Sequence, residues 1–167
     1  MGLGEHREKA PKQVACMVIT ISDTRTPEND TSGALIKKLL ADRGHRVEGY
    51  LIVQDDFKAV KAAILKGLSK AEVQAIILNG GTGISKRDGT YEVVGGLLEK
   101  RLDGFGELFR YLSYQEIGSA AMMSRAIAGI CRGKAVISMP GSTSAVELAM
   151  TSLVLPELAH IVGEVSK

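Results

Sequence analysis

No tryptophan occurs in the 167 residues, cysteine occurs twice and histidine three times. These shortages exclude several chemistries. Cys16 and Cys131 stand far apart, form no CxxC pair and lie in or beside apolar stretches. That pattern reads as two buried thiols in a reducing compartment. His6, His45 and His160 are scattered and match no zinc-ligand spacing. A GxSxG elbow and an HExxH helix are absent, and neither cysteine has an evident histidine partner, so a serine, cysteine or zinc hydrolase is not expected. Charge of one sign is also missing. Lys and Arg number 21 against 19 Asp and Glu, for a net charge of +2, and no basic stripe with interleaved aromatics points to nucleic acid. The first thirteen residues, MGLGEHREKAPKQ, are polar and contain no apolar stretch of signal-peptide length; no later run reads as long enough to span a bilayer. The sequence thus predicts a cytoplasmic protein without a membrane partner, with a short mobile tail over 1–13 and a single domain over 14–167.

What is present is ordinary for a globular chain of one domain: 45% hydrophobic residues, 24% charged and 19 glycines. Val14–Ile21 is an almost continuous apolar run, as in a strand covered on both faces. Further strands are expected at Val47–Val53, Val73–Leu78 and Ala135–Met139. Helices are expected over Thr31–Arg43, through Phe57, Val60, Ile64 and Leu68, over Glu92–Arg101 and Phe105–Arg125, and over Thr143–Val165 with an interruption near Pro156. The alternation predicts an α/β fold, three layers with a mostly parallel, doubly wound sheet. No repeat or low-complexity segment interrupts it.

In such sheets ligands bind beyond the carboxyl ends of the strands, and the unusual loops of this chain gather there. Asn79-Gly80-Gly81-Thr82-Gly83 follows a buried strand; its amides can form an anion nest, or the segment can be a plain strand-to-helix turn. It is not a Walker loop, since GGTGISKR lacks the required glycine spacing before lysine, nor a dinucleotide fingerprint, since Lys86 stands where a third glycine is needed. Lys86-Arg87-Asp88 can clamp phosphate and hold magnesium, or be a solvated charged turn. Asp55-Asp56 can be a second carboxylate site or the N-cap of the next helix. Asp30-Thr31-Ser32-Gly33 and Pro140-Gly141-Ser142-Thr143-Ser144 each open a helix, with capping and phosphate contact both compatible with their side chains.

Taken together, ISDTRTPENDTSG (21–33), NGGTGISKRDGTYE (79–92), GFGELFRYLSYQEIGSAAMMSRAIAG (104–129) and MPGSTSAVELA (139–149) resemble the MoaB/MogA family of molybdenum cofactor proteins, also seen in the G domains of plant Cnx proteins and gephyrin. The resemblance covers nearly everything from Val14 onward and is closest to the MoaB branch. It implies the MogA-like molybdopterin-binding fold, assembly as a homotrimer or dimer of trimers, and contact with other proteins of the same pathway. It also implies that molybdopterin is the substrate, and that catalytic members transfer AMP from Mg-ATP to its terminal phosphate and release pyrophosphate. By motif, the two aspartates linked to that chemistry are Asp55 and Asp88, which would also hold Mg2+. Substrate and phosphate contacts are expected from Ser22, Asp23, Thr31, Ser32, Gly33, Gly80, Gly81, Thr82, Gly83, Arg87, Glu107, Pro140, Gly141 and Ser142.

The chain departs from the family pattern in its loops. Gly89-Thr90-Tyr91 stands where the pattern has VTP, Gln54 where it has proline, and Ser142-Thr143 where it has xP. Loops without proline are less preorganised. A non-catalytic molybdopterin-binding or scaffold protein is therefore the alternative to an adenylyltransferase.

Overall fold

The computed structural model describes residues 2–167. Met1 of the expected tail lies outside them, as does the side chain of His6. Within that tail, helix α1 (Leu3–Glu8) forms and lies against the C-terminal helix, joined to it by the Arg7–Glu157 ion pair. The sequence pattern missed it because a six-residue polar helix has no apolar stripe to read.

The body follows as β1 (Ala15–Ile21), α2 (Thr31–Asp42), β2 (Arg46–Val53), α3 (Phe57–Ser69), β3 (Ala75–Asn79), α4 (Thr90–Leu97), β4 (Lys100–Arg101), α5 (Asp103–Ile117), β5 (Ile127–Cys131), β6 (Lys134–Met139), α6 (Thr143–Ala149) and α7 (Leu155–Val165). A 3-10 turn, Gly118–Met123, follows α5, and a π turn, Met150–Val154, joins α6 to α7. The six strands form one sheet in the order β2-β1-β3-β6-β5-β4. Strands β2, β1, β3 and β6 run parallel; β5 is antiparallel to β6, and β4 to β5. The mostly parallel α/β sheet read from the sequence is thus present.

Every residue of β1 is buried, which accounts for its unbroken apolar run. Successive strand residues feed two cores. Val14, Cys16, Val18, Ile77 and Ile137 pack with α2, α5, α6 and α7 on one face; Met17, Ile19, Ile76, Leu78 and Val136 pack with α3 and α4 on the other. Each fully buried aliphatic side chain contributes roughly 1.5–3 kcal/mol, so the two layers of helices follow from the two apolar faces of the sheet.

Four points need correction. The helix expected over Glu92–Arg101 ends at Leu97, and residues 100–101 become edge strand β4. The helix expected to reach Arg125 ends at Ile117, where Gly118 takes φ 68. Strand β5 was missed altogether, although Arg132 and Gly133, both at positive φ, form the two-residue hairpin turn that pairs it with β6. The fourth concerns the bilayer. Thr143–Val165, with 23 residues and a hydropathy of 1.5, is by length and composition alone sufficient to cross a membrane. Its apolar character has a local cause: Val146, Ala149, Met150, Val154, Leu158 and Val162 are buried in the first core. The expected interruption takes the form of the π turn just ahead of Pro156, which lacks an N–H to give the preceding turn.

Candidate functional site

The parallel strands end on one edge, and their loops build the site. Gly80 and Gly81 leave β3 with φ of 101 and 68. A side chain at Gly80 would meet the carbonyl oxygen of Ile21 at 2.2 Å, so the chain passes close over the end of β1 only because residue 80 is glycine. The loop then runs Thr82-Gly83 into the charged turn. Asp88 folds back on that turn: its Oδ2 accepts from the Ser85 amide at 2.9 Å and the Ser85 hydroxyl at 2.6 Å. The Ser85 hydroxyl chiefly, with the Ser85 and Gly83 amides and Arg125, holds Asp88 below the usual carboxylate range against the opposing effect of burial.

Asp55 and Asp56 divide the two roles open to them. Asp56 caps α3, accepting from the Ala59 amide at 3.0 Å. Asp55 does not cap. Its Oδ1 is buried without a hydrogen-bond partner, 3.1 Å from where a Gly81 Cβ would stand. Burial first, then the charges of Asp88 and Asp23, push its pKa up; the Gly89 amide and Arg87 offset part of this. Asp23 accepts from the Asp55 amide at 3.1 Å. Arg87 spans the group, donating to Asp23 at 3.0–3.1 Å and to the Asp55 carbonyl at 3.1 Å.

Two cavities flank this cluster. One, of about 430 Å³, is lined by Gly80, Gly81, Thr82, Gly83 and Asp88, by Pro140, Gly141, Ser142 and Ala145, and by a partly apolar wall of Phe109, Ser113, Ile117, Met123 and Ser124. The other, of about 450 Å³, is lined by Ser22, Asp23, Arg25, Thr26, Pro27 and residues 50–54. Helices α2 and α6 start side by side. Asp30 caps α2 through the Gly33 amide at 2.9 Å, and Ser142 caps α6 through the Ala145 amide at 3.2 Å. Ser32 donates to the Gly141 carbonyl at 2.7 Å, and the Thr31 and Thr143 hydroxyls lie 3.2 Å apart. Gly33 packs against the Asp30 carboxylate and Thr20. Burial alone would raise the pKa of Asp30; hydrogen bonds from Thr20, Tyr50 and the Gly33 amide outweigh it and leave the group lowered.

Residues 17–160 match the family described as "Probable molybdopterin binding domain". The chain belongs to this family. The "Molybdenum cofactor biosynthesis protein B" of Halalkalibacterium halodurans is 54% identical over 168 residues, which span 100% of this chain and 99% of the relative. A crystal structure of a molybdenum cofactor biosynthesis protein B superposes with a TM-score of 0.91 at 55% identity, over 94% of this chain and 98% of that one. The tungsten cofactor synthesizing protein MoaB of Pyrococcus furiosus superposes with a TM-score of 0.86 at 37% identity, over 95% and 100%. The chain is thus a molybdopterin-binding domain of molybdenum cofactor biosynthesis.

The structure brings Asp23, Asp55, Asp88, Arg87 and Gly80–Gly83 into one cluster and sets Ser22, Pro140, Gly141 and Ser142 in the two flanking cavities. Thr31, Ser32 and Gly33 stand behind Gly141 at the start of α2. Glu107 is not brought in. It is exposed on α5, whose cavity-facing residues are Phe109, Ser113 and Ile117.

Sequence reasoning missed Arg125. Its guanidinium donates to the carbonyls of Gly83 at 2.9 Å, Thr82 at 3.4 Å and Asp88 at 3.0 Å, pairs with Glu92, and lies 5.3 Å from the Tyr91 ring centroid. One side chain thereby fixes both ends of the glycine-rich turn. Arg125 falls inside the SRA segment that carried the family resemblance, but its partners lie about forty residues earlier, so local spacing gives no sign of them.

The donor set suits magnesium. Among the described residues no group of three or more His, Cys, Asp or Glu side chains forms a metal cage. Magnesium needs no such cage, since it is commonly held by one or two carboxylates together with substrate phosphates. An orphaned Asp55 oxygen beside two further carboxylates matches that requirement.

Proposed function

We propose that this protein adenylates molybdopterin: an oxygen of the pterin's terminal phosphate attacks the α-phosphorus of ATP, the bond to the β-phosphate breaks, and pyrophosphate leaves. The observation that carries this reading is the buried, unpartnered Asp55 Oδ1 beside Asp88 and Asp23, between two cavities. Transfer between two phosphorylated substrates needs a place for each and relief of their mutual repulsion where they meet.

The nucleophile needs no general base. A phosphate monoester has a second pKa of about 6 and is mostly ionised near neutrality. Asp55 and Asp88 accordingly serve as metal-holding carboxylates rather than proton acceptors. Magnesium, when bound, would supply neutralisation of the leaving pyrophosphate. Arg87 supplies a fixed cation across the cluster, and the Gly80–Gly83 turn, braced by Arg125, presents main chain to phosphate. Phe109, Ile117 and Met123 offer a partly apolar wall for the pterin ring. The reaction takes place in the cytoplasm, in a homotrimer or dimer of trimers. The assembly draws support from an exposed apolar face at Leu108, Tyr111, Tyr114, Ile117, Met122 and Met123.

The test is magnesium-dependent pyrophosphate release from ATP, with and without molybdopterin, beside Asp88→Asn. Pterin-dependent release that the variant loses is the expected result. Tight molybdopterin binding with no release would overturn adenylyl transfer and leave a binding or scaffold protein.

A further inference from the structure

Gly89 has an ordinary backbone conformation, φ −120 and ψ 0, which any residue can adopt. Its need for glycine comes from outside: a Cβ there would meet the Phe57 ring at 2.6 Å, at both Cε2 and Cζ. Phe57 is 49% exposed and belongs to neither core, so core packing does not account for its place. The positions of the pair explain the contact. Asp55 and Asp56 lead directly into Phe57, the first residue of α3; Asp88 leads directly into Gly89, the N-cap of α4. The ring therefore joins the starts of the two helices that follow the two aspartates.

We propose that Phe57, seated on the bare Cα of Gly89, is a positioning residue that sets the spacing of Asp55 and Asp88. The proposal rests on the two-carboxylate reading of the site. The Gly89 amide also lies against the Asp55 carboxylate and lowers its pKa, so displacing Gly89 displaces a direct neighbour of Asp55. Neither loop holds a proline to restrain it: Gln54-Asp55-Asp56 and the stretch from Ser85 to Tyr91 contain none. An aromatic ring packed on a glycine restrains two loops at once, whereas a proline restrains only its own.

The experiment is a double-mutant cycle on the full chain with Phe57→Ala, Gly89→Ala and the pair, and with Phe57→Leu as the conservative variant. Two quantities are read. The first is Mn2+ affinity, as a magnesium probe, by paramagnetic resonance without turnover. The second is amide exchange at residues 88 and 89. Phe57→Ala and Gly89→Ala are each expected to weaken Mn2+ binding about tenfold and to speed exchange at 88 and 89, in line with the effect of altering groups that orient metal ligands. Because Gly89→Ala acts by evicting the ring, it is expected to cost almost nothing further once Phe57 is Ala, and Phe57→Leu should restore part of the affinity. Additive effects in the cycle, or unchanged exchange in both single variants, would overturn the proposal. So would a loss of ATP affinity with Mn2+ affinity intact, which would make Phe57 a ligand contact. Wild-type protein that binds no Mn2+ would sink the two-carboxylate reading; the exchange cycle would then still decide whether the ring restrains the loops.

Discussion

Asp55 and Asp88 belong to one cluster yet respond to it in opposite directions, and that makes them separable by stability as well as by activity. The pKa of Asp55 is raised in the folded chain, so its ionised form disfavours folding, and the stability it contributes is present only below its unfolded value of 3.8 and lost as pH rises through the folded value. Asp55→Asn is therefore expected to raise the melting temperature at pH 7 while abolishing pyrophosphate release. Asp88 is lowered, so it stabilises above 3.8 and that contribution is lost as pH falls through its folded value. Asp88→Asn should lower the melting temperature at pH 7 and lose activity as well. Calorimetry of the two variants without ligand checks the pair of signs. Arg125→Lys keeps the charge but not the planar fork that reaches three carbonyls. About a tenfold or greater drop in kcat/KM is expected, with an unchanged far-ultraviolet spectrum. Asp56 and Asp55 also show the limit of local reading. Both fit a helix cap by sequence, and only the direction of each side chain separates them.

Helix starts do much of the work in this molecule. Asp30, 3% exposed, caps α2, receives Tyr50 from β2 and touches Gly33, where a Cβ would meet Asp30 Oδ2 at 2.2 Å. Gly33→Ala is expected to force the carboxylate off its cap. The cost is about 1–2 kcal/mol, read as a fall of several degrees in the melting temperature. The turn between α2 and β2 carries a pH response. The Val14 amide donates to His45 Nδ1 at 3.1 Å, which requires a neutral ring, and burial followed by Arg43 lowers the His45 pKa from 6.5. A lowered histidine contributes stability above its unfolded pKa that is lost as pH falls through its folded value. Stability should therefore decline below about pH 6.5, and His45→Gln should flatten that part of the profile in a thermal scan. At this scale the long strands and α2 and α3 were legible, because continuous or four-residue apolar spacing marks them. The short edge elements were not: β4 has two residues, and β5 reads as the tail of a helix until its hairpin with β6 is seen.

Across the whole molecule, both faces of the sheet are covered by helices, but α5 and the turn after it leave Leu108, Tyr111, Tyr114 and Met122 at 52–79% exposure. Ile117 and Met123 belong both to this face and to the cavity wall, so the proposed assembly and the proposed ligand site would share residues. If the proposed oligomer forms through this face, Leu108→Glu with Tyr111→Glu is expected to convert it to a monomer in sedimentation velocity, with the fold retained, since neither residue is in a core. The α/β class, the family and the loops gathered at the candidate site were legible from the sequence alone. Parallel strands buried on both faces leave long apolar runs, and glycine-rich turns at their carboxyl ends stand out against them. Only the tertiary structure shows that Asp56 caps while Asp55 Oδ1 is left unpartnered, that Glu107 stays outside the cluster, that Arg125 braces the turn and that Phe57 lies against Gly89. Those outcomes depend on contacts between residues tens of positions apart, and the spacing of residues along the chain carries no record of such contacts.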